Sequence, residues 1–307
     1  MTSFLPEPAP AGLRATDILV AALINLVWGL NIIAVKMAVV ATAPLTAAFL
    51  RQTVVLLVCL PFLRIVPGRT RVLLCLGLIV GAFLMAVNLS LMVSTNLPAL
   101  AIAGQLGVPF SLILAIIFLG ERIALPRLLG IALTFSGVVI VVFDPGVAKE
   151  LPGVLLTALG ALFWAISSLI QRRLAGVPVL TIYAWIGLIG ALMLGPAMLL
   201  AEPRTVAKLP QLPLRDLGWI LFSGIGSTVM GQGGMAWLLQ RHPVTTVLPL
   251  TLGAPVVAVA ASSLFFGTVL TSTMIAGAMV AMIGVGIIVF RSAGRSKRPS
   301  GGKAELA

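Results

Sequence analysis

The stretch WGLNIIAVK, from Trp28 to Lys36, lies inside an apolar run that begins at Ile18. A lysine near the centre of such a run costs about 2.5–3.5 kcal/mol in hydrocarbon, so Lys36 needs a reason to be there. Asn25, Trp28 and Asn31 share one helical face at i, i+3 and i+6. Trp164, Ser167, Ser168 and Gln171 form a matching face in a later run. An indole flanked by amides and hydroxyls suits a small ligand with an apolar body and a polar end, because the ring can stack while its neighbours hydrogen-bond. Two further faces carry Gly81, Met85, Asn88 and Met92, and Gly226, Met230, Gly233 and Trp237. All four faces would also serve packing, with Asn and Ser bonding a neighbouring helix. Their recurrence at similar depth points to a shared cavity.

Two prolines, Pro109 and Pro255, sit near the middle of apolar runs. Each lacks an N–H, so the carbonyls of Gln105 and Thr251 lose their usual helical donor. Such a pair can be static kinks, or symmetric hinges that turn two carbonyls toward a cavity. The run holding Gly224, Gly226, Gly231, Gly233 and Gly234 is expected to bend or break as well. Lys36 falls toward the outer end of its run, where its stem can snorkel to headgroups. The other reading pairs it with Arg51 at similar depth, giving a cationic vestibule that attracts a carboxylate.

Catalytic chemistry finds no support in these residue types. The one histidine, His242, lies in a turn beside Arg241. No Cys/His cluster suggests a metal, and no cofactor motif is present. The eight acidic residues all fall in termini, loops or run ends. Proton-coupled pumps commonly use buried Asp, Glu or His relays, so transport down a substrate gradient is the expectation.

The elements that must position these residues follow from composition. Of 307 residues, 60% are hydrophobic and 9% charged, against roughly 25% charged in soluble domains. Apolar runs of membrane-crossing length recur throughout. The chain is therefore expected to be an all-α integral membrane protein. Ten spans are expected near 18–38, 45–63, 72–92, 97–119, 126–143, 153–171, 180–200, 216–239, 243–267 and 272–290.

The net charge of +12 is unevenly placed. With the N-terminus inside, cytoplasmic segments hold Arg14, Arg64, Arg69, Arg71, Arg122, Arg127, Arg172, Arg173, Arg241, Arg291, Arg295, Lys297, Arg298 and Lys303. External loops hold only Lys149, Arg204, Lys208 and Arg215. Lys/Arg bias sets orientation, so both termini are expected in the cytoplasm. The basic tail reads as an anchor near anionic lipid headgroups, not as a nucleic-acid site.

The chain repeats itself. Shifted by 147 residues, GIALTFSGVVIVVF (130–143) lies on GAMVAMIGVGIIVF (277–290), and Gly130, Gly137 and Phe143 meet identical residues. Nearby shifts pair Pro109 with Pro255 and Trp28 with Trp164, and put Arg172 opposite Lys36. Five spans in each half make an inverted-topology repeat around a central cavity, an arrangement characteristic of secondary transporters. The expected units are an N-terminal segment (1–16), a first repeat (17–144), an external linker (145–152), a second repeat (153–291) and a basic tail (292–307).

The same residues carry a family resemblance. WGLNIIAVK, FLRQTVVLLV (49–58) and FLGERIALPRLLGIALTFSGVVIVV resemble the first-helix, second-helix and fourth-to-fifth-helix motifs of the drug/metabolite transporter superfamily, EamA type. Within it the chain looks most like the YddG-type exporters of aromatic amino acids. In one departure, Glu121 of the first half corresponds to Thr268 in the second. The resemblance implies a bacterial inner-membrane exporter working by alternating access. Its partners would be aromatic amino acids and membrane lipids, and it would act as a monomer, with a dimer left open. The rival within transport is a multidrug or other metabolite exporter. A membrane-embedded enzyme would need a titratable constellation at one interface.

On this reading, Trp28, Asn31, Asn88, Gln105, Trp164, Ser168, Gln171, Met230 and Thr251 are the candidate substrate contacts. Pro109, Pro255, Lys36 and Arg51 are the candidate hinges or gates. A cysteine placed at Ser300 should resist membrane-impermeant maleimide in intact cells and react after lysis. Labelling in intact cells would reverse the orientation.

Overall fold

A computed structural model describes residues 13–119, 125–145, 147–239, 241–242, 247 and 249–295. Glu121, most of the N-terminal segment, the end of the basic tail and the Arg172 side chain lie outside what is described. Among the described residues the chain is helical, with no strand.

Among the described residues, eight helices are long and apolar enough to cross a membrane. The first half holds α1 (Ala15–Ala41), α2 (Pro44–Cys59), α3 (Thr70–Val93), α4 (Leu97–Ala103), α5 (Gly107–Leu119) and α6 (Leu125–Val142). A 3₁₀ turn at Gly104–Leu106 joins α4 to α5 within one span, Leu97–Phe118. The second half holds α7 (Leu151–Arg172) and α8 (Val179–Ala201), then α9 (Leu214–Leu221), α10 (Gly231–Leu239), α11 (Gly253–Phe266) and α12 (Ser272–Arg295).

The expected eighth and ninth spans are not single α-helices. Between α9 and α10, residues Phe222–Met230 form a π-helix, in the glycine-rich run expected to bend. The ninth is represented by α11, a shorter helix of 14 residues preceded by a turn at Thr251–Leu252. It ends at Gly267, whose φ of 65° is left-handed. There the N–H of Thr268 reaches back to the carbonyl of Ser263, a stop that suits a residue with no Cβ.

The halves interlock. The α6 helix packs on α12, α3 on α7 and α8, α2 on α8, and α1 on both α11 and the rod from α9 to α10. The α6–α12 seam shows why these sequences repeat. The repeat aligns Gly130 with Gly277 and Gly137 with Gly284 in sequence, and antiparallel packing crosses these pairs, so that Gly130 faces Gly284 and Gly137 faces Gly277. A Cβ on Gly284 would lie 2.6 Å from the Gly130 carbonyl oxygen, and one on Gly277 would lie 2.7 Å from that of Gly137. Bilayer tails supply no hydrophobic drive between helices, so close backbone approach through small residues supplies the contact. Gly77 and Gly81 lie against Ile189 and Met193 of α8.

The seam predicts a contrast between two glycines. Gly137→Val should destabilise the purified protein by about 1–3 kcal/mol, the usual cost of overpacking, read as a lower melting temperature in detergent. Gly233→Val, where a Cβ meets nothing within 4 Å, should leave the melting temperature near wild type.

Candidate functional site

Two broken helices build the site. Pro109 offers no N–H to the Gln105 carbonyl, and the 3₁₀ turn falls at Gly104–Leu106. Pro255 likewise cannot serve the Thr251 carbonyl. There the helix is interrupted, and the Thr251 carbonyl instead accepts the N–H of Ala254 at 3.3 Å. Asn25 of α1 steadies this second break by donating its Nδ2 to the Leu250 carbonyl at 2.6 Å. Both breaks border one cavity.

That cavity has a volume of about 420 Å³ and lies between the halves. Trp28, Asn31, Ile32 and Val35 of α1 line it, with Arg51 of α2 and Phe83, Val87, Ser90 and Leu91 of α3. Gly104, Gln105, Gly107 and Val108 come from the first break. Thr157, Ala161 and Trp164 of α7 face it, as do Thr251, Ala254, Pro255 and Ala258 around the second break.

The two expected indoles are braced differently. Trp28 donates its Nε1–H to the Ser227 carbonyl at 3.1 Å and lies over Gly231 of α10. Trp164 lies over Gly107, where a Cβ would come within 2.9 Å of its ring. Each ring rests on a glycine of the opposite half, and each wall would lose that fit with a larger residue.

Arg51 is the only charged residue among the described residues lining the cavity. It donates to the Thr228 hydroxyl at 2.9 Å, and that hydroxyl donates to the Ser223 carbonyl at 3.0 Å. The i to i+5 spacing of that second bond is the π-helical spacing. The π segment thus places both the carbonyl that holds Trp28 and the hydroxyl that holds Arg51. Two oxygens on lining residues, Asn31 Oδ1 and Thr157 Oγ1, are buried without a hydrogen-bond partner. A buried acceptor left unpaired costs about 1–3 kcal/mol, which a ligand N–H would recover.

Lys36 does not line the cavity. Its ammonium donates to the carbonyls of Leu91 at 2.5 Å and Ser94 at 2.7 Å. These belong to the end of α3, where a helix has carbonyls with no internal partner and where positive charge is favoured. Glu150 completes the arrangement. It accepts the Thr95 N–H at 3.0 Å and the Thr95 hydroxyl at 2.6 Å, ahead of α4. Lysine and glutamate thereby fix the turn between α3 and α4. This replaces both expectations for Lys36, the headgroup anchor and the carboxylate-attracting vestibule. Arg51 also departs from expectation, since it is in the cavity wall.

Other candidates fall elsewhere. Asn88 is buried and donates to Leu84 of its own helix at 2.7 Å. Ser168 donates to the Trp164 carbonyl at 3.0 Å. Gln171, near the end of α7, is not among the lining residues, and neither is Met230, which is 53% exposed. Pro109 is buried behind the break it causes.

The family model for the EamA-like transporter family matches residues 16–143 and again 151–290. The chain belongs to the EamA-like transporter family. It is 28% identical over 287 residues to the "Probable amino-acid metabolite efflux pump" of Escherichia coli (strain K12), covering 89% of this chain and 95% of that one. A protein of the same description from Salmonella typhimurium is also 28% identical, over 286 residues, with the same coverage. An "Uncharacterized transporter" from Archaeoglobus fulgidus is 28% identical over 269 residues, 85% of this chain and 94% of its own. One solved protein structure superposes with a TM-score of 0.63 at 19% identity, covering 93% of this chain and 100% of the other. It supports the fold.

For this EamA-like chain, sequence reasoning missed part of the wall. Phe83, Val87 and Ser90 lie at i, i+4 and i+7 on α3, turned away from the face that held Asn88 and Met92. Thr157, Ala161 and Trp164 have the same spacing on α7. Extending the Trp164 face toward the N-terminus would have found Thr157. Thr228 and Ser227 gave no comparable signal, because their positions depend on the π-helix.

Glu150 gives a pH prediction. Burial works against its charge most strongly, but the hydrogen bonds from the Ser94–Asn96 turn, Thr95 foremost, together outweigh it and hold the carboxyl below its ordinary value of 4.5. A carboxylate lowered on folding stabilises above its unfolded pKa, and the contribution fades as pH falls through the folded one. Glu150→Gln should therefore lower the melting temperature at pH 7. The gap from wild type should narrow as pH drops below 4.5. A gap independent of pH would assign the loss to shape instead of charge.

Proposed function

We propose that the chain exports amino acids and related metabolites bearing a carboxylate and an apolar, chiefly aromatic, side chain. Arg51 is the observation that carries this reading. A lone cation in a cavity with no acidic residue among its described lining selects for anionic groups and against cations. The substrate carboxylate pairs with the Arg51 guanidinium. Trp28 and Trp164 flank the side chain. Asn31 Oδ1 and Thr157 Oγ1 accept from the amino group. The names of the bacterial relatives, amino-acid metabolite efflux pumps, support the substrate class.

Two homologous halves around one cavity suit alternating access, with one half rocking against the other. The π segment and the two proline breaks provide places where the wall can change shape without losing whole helices. The cation bias supports a bacterial inner-membrane location with both termini cytoplasmic. The described lining residues include no titratable acid, which favours flux down the substrate gradient.

Proteoliposome uptake tests the reading. Hydrogen bonds to charged groups contribute about 1.5–3 kcal/mol, so Arg51→Gln should slow tryptophan transport by tenfold or more. Transport of tryptamine, which lacks the carboxylate, should not fall in parallel. Trp164→Ala should weaken tryptophan transport more than alanine transport, reflecting about 0.5–1.5 kcal/mol of ring–ring contact. Equal losses across these substrates in variants that elute as wild type would sink the assignment. Accumulation driven by a pH gradient alone would overturn the uncoupled mechanism.

A further inference from the structure

A second pocket, of about 360 Å³, lies beside the central cavity between α4, α11 and α12. Gln105 and Pro255 belong to both, so the two volumes share a wall at the helix breaks. All other described lining residues are apolar. Gln105 is the one polar residue, and its amide turns back toward the Ala101 carbonyl of its own helix at 3.4 Å. Among the described residues, no charge or ordered polar cluster is offered to a headgroup or a zwitterion.

The mouth opens sideways. Val256 and Met279 are each 58% exposed and Ile275 is 45% exposed, on helices whose outer faces meet hydrocarbon. Met274 is closed off from the exterior at 1% exposure, so the pocket runs inward from an open rim to a covered interior. Ala278 leaves width along this path, and methionine side chains adapt to irregular apolar shapes. A narrow, flexible, wholly apolar occupant fits. A second transmembrane helix, about 10–12 Å across with its side chains, would cover the mouth without entering.

We propose that this side pocket binds one acyl chain of a membrane phospholipid, its end resting against the Gln105–Pro255 wall. The surrounding bilayer supplies the occupant at high concentration. The tail touches the structure that shapes the central cavity, so bilayer composition acts directly on the two broken helices. This assignment does not depend on which substrate the cavity carries.

The test uses the full-length protein in vesicles containing a phospholipid with a diazirine on its acyl chain. After irradiation, adducts should be enriched severalfold on residues 255–260 and 274–282 relative to the exposed face of α1. Val256→Trp or Ile275→Trp, at the exposed rim, should remove that enrichment and leave labelling of α1 unchanged. Uniform labelling of all outer faces, or enrichment indifferent to both plugs, would overturn the proposal. A photoreactive tryptophan analogue that labels the same peptides would assign the pocket to substrate instead, and would also overturn it.

Discussion

Inside a bilayer every backbone N–H and C=O needs a partner within the protein, and this chain breaks its helices where that demand is hardest to meet. Side chains from neighbouring elements make the breaks tolerable. Asn25 bonds the carbonyl before the Thr251 turn. Lys36 bonds the last carbonyls of α3, and Glu150 meets the N–H of Thr95 before α4. Glu202, at the end of α8, accepts the N–H groups of Leu45 and Thr46 at the start of α2, at 2.9 and 2.8 Å. Cations meet helix C-termini and carboxylates meet N-termini, the arrangement that helix dipoles favour. Lys36, which looked out of place in the apolar sequence, thus joins two loop carboxylates in holding helix ends.

The second organising feature is an asymmetry inside a repeat. The α6–α12 seam is nearly symmetric, with glycines meeting carbonyls in both directions. The helices around the cavity are not. The α3 helix is continuous from Thr70 to Val93, while its counterpart passes through nine residues of π-helix. Trp28 and Arg51 both hold on to that irregular segment. A symmetric frame thus encloses an unsymmetric centre.

Much of this was legible in the sequence, because the bilayer imposes strong rules on composition. Apolar runs and internal repeats report directly on span length and packing. Trp28, Asn31 and Trp164 stood out because aromatic and polar groups in mid-span are costly unless something uses them. Pro109 and Pro255 stood out because proline removes a donor wherever it sits. The glycines of the seam repeated for a reason that the sequence displayed before the packing explained it.

What the sequence left open was direction. A helical face tells which residues lie together, but not which neighbour they meet. Asn88 and Ser90 are two residues apart, and only the docking of α3 against α7 and α8 turned Ser90 to the cavity and Asn88 into packing. Lys36 and Arg51 were both lone cations near the end of a span. Tertiary contacts made the first a cap for α3 and gave the second the cavity. The π-helix was beyond reach, because a shift from i+4 to i+5 bonding changes no residue type and is decided by what Ser223 and Thr228 touch. The sequence by itself determined a membrane-spanning, two-fold repeated helical chain with costly polar residues at mid-depth. The tertiary structure decided which of those residues satisfy backbone and which line the cavity, since hydrogen-bond satisfaction depends on neighbours distant in the chain.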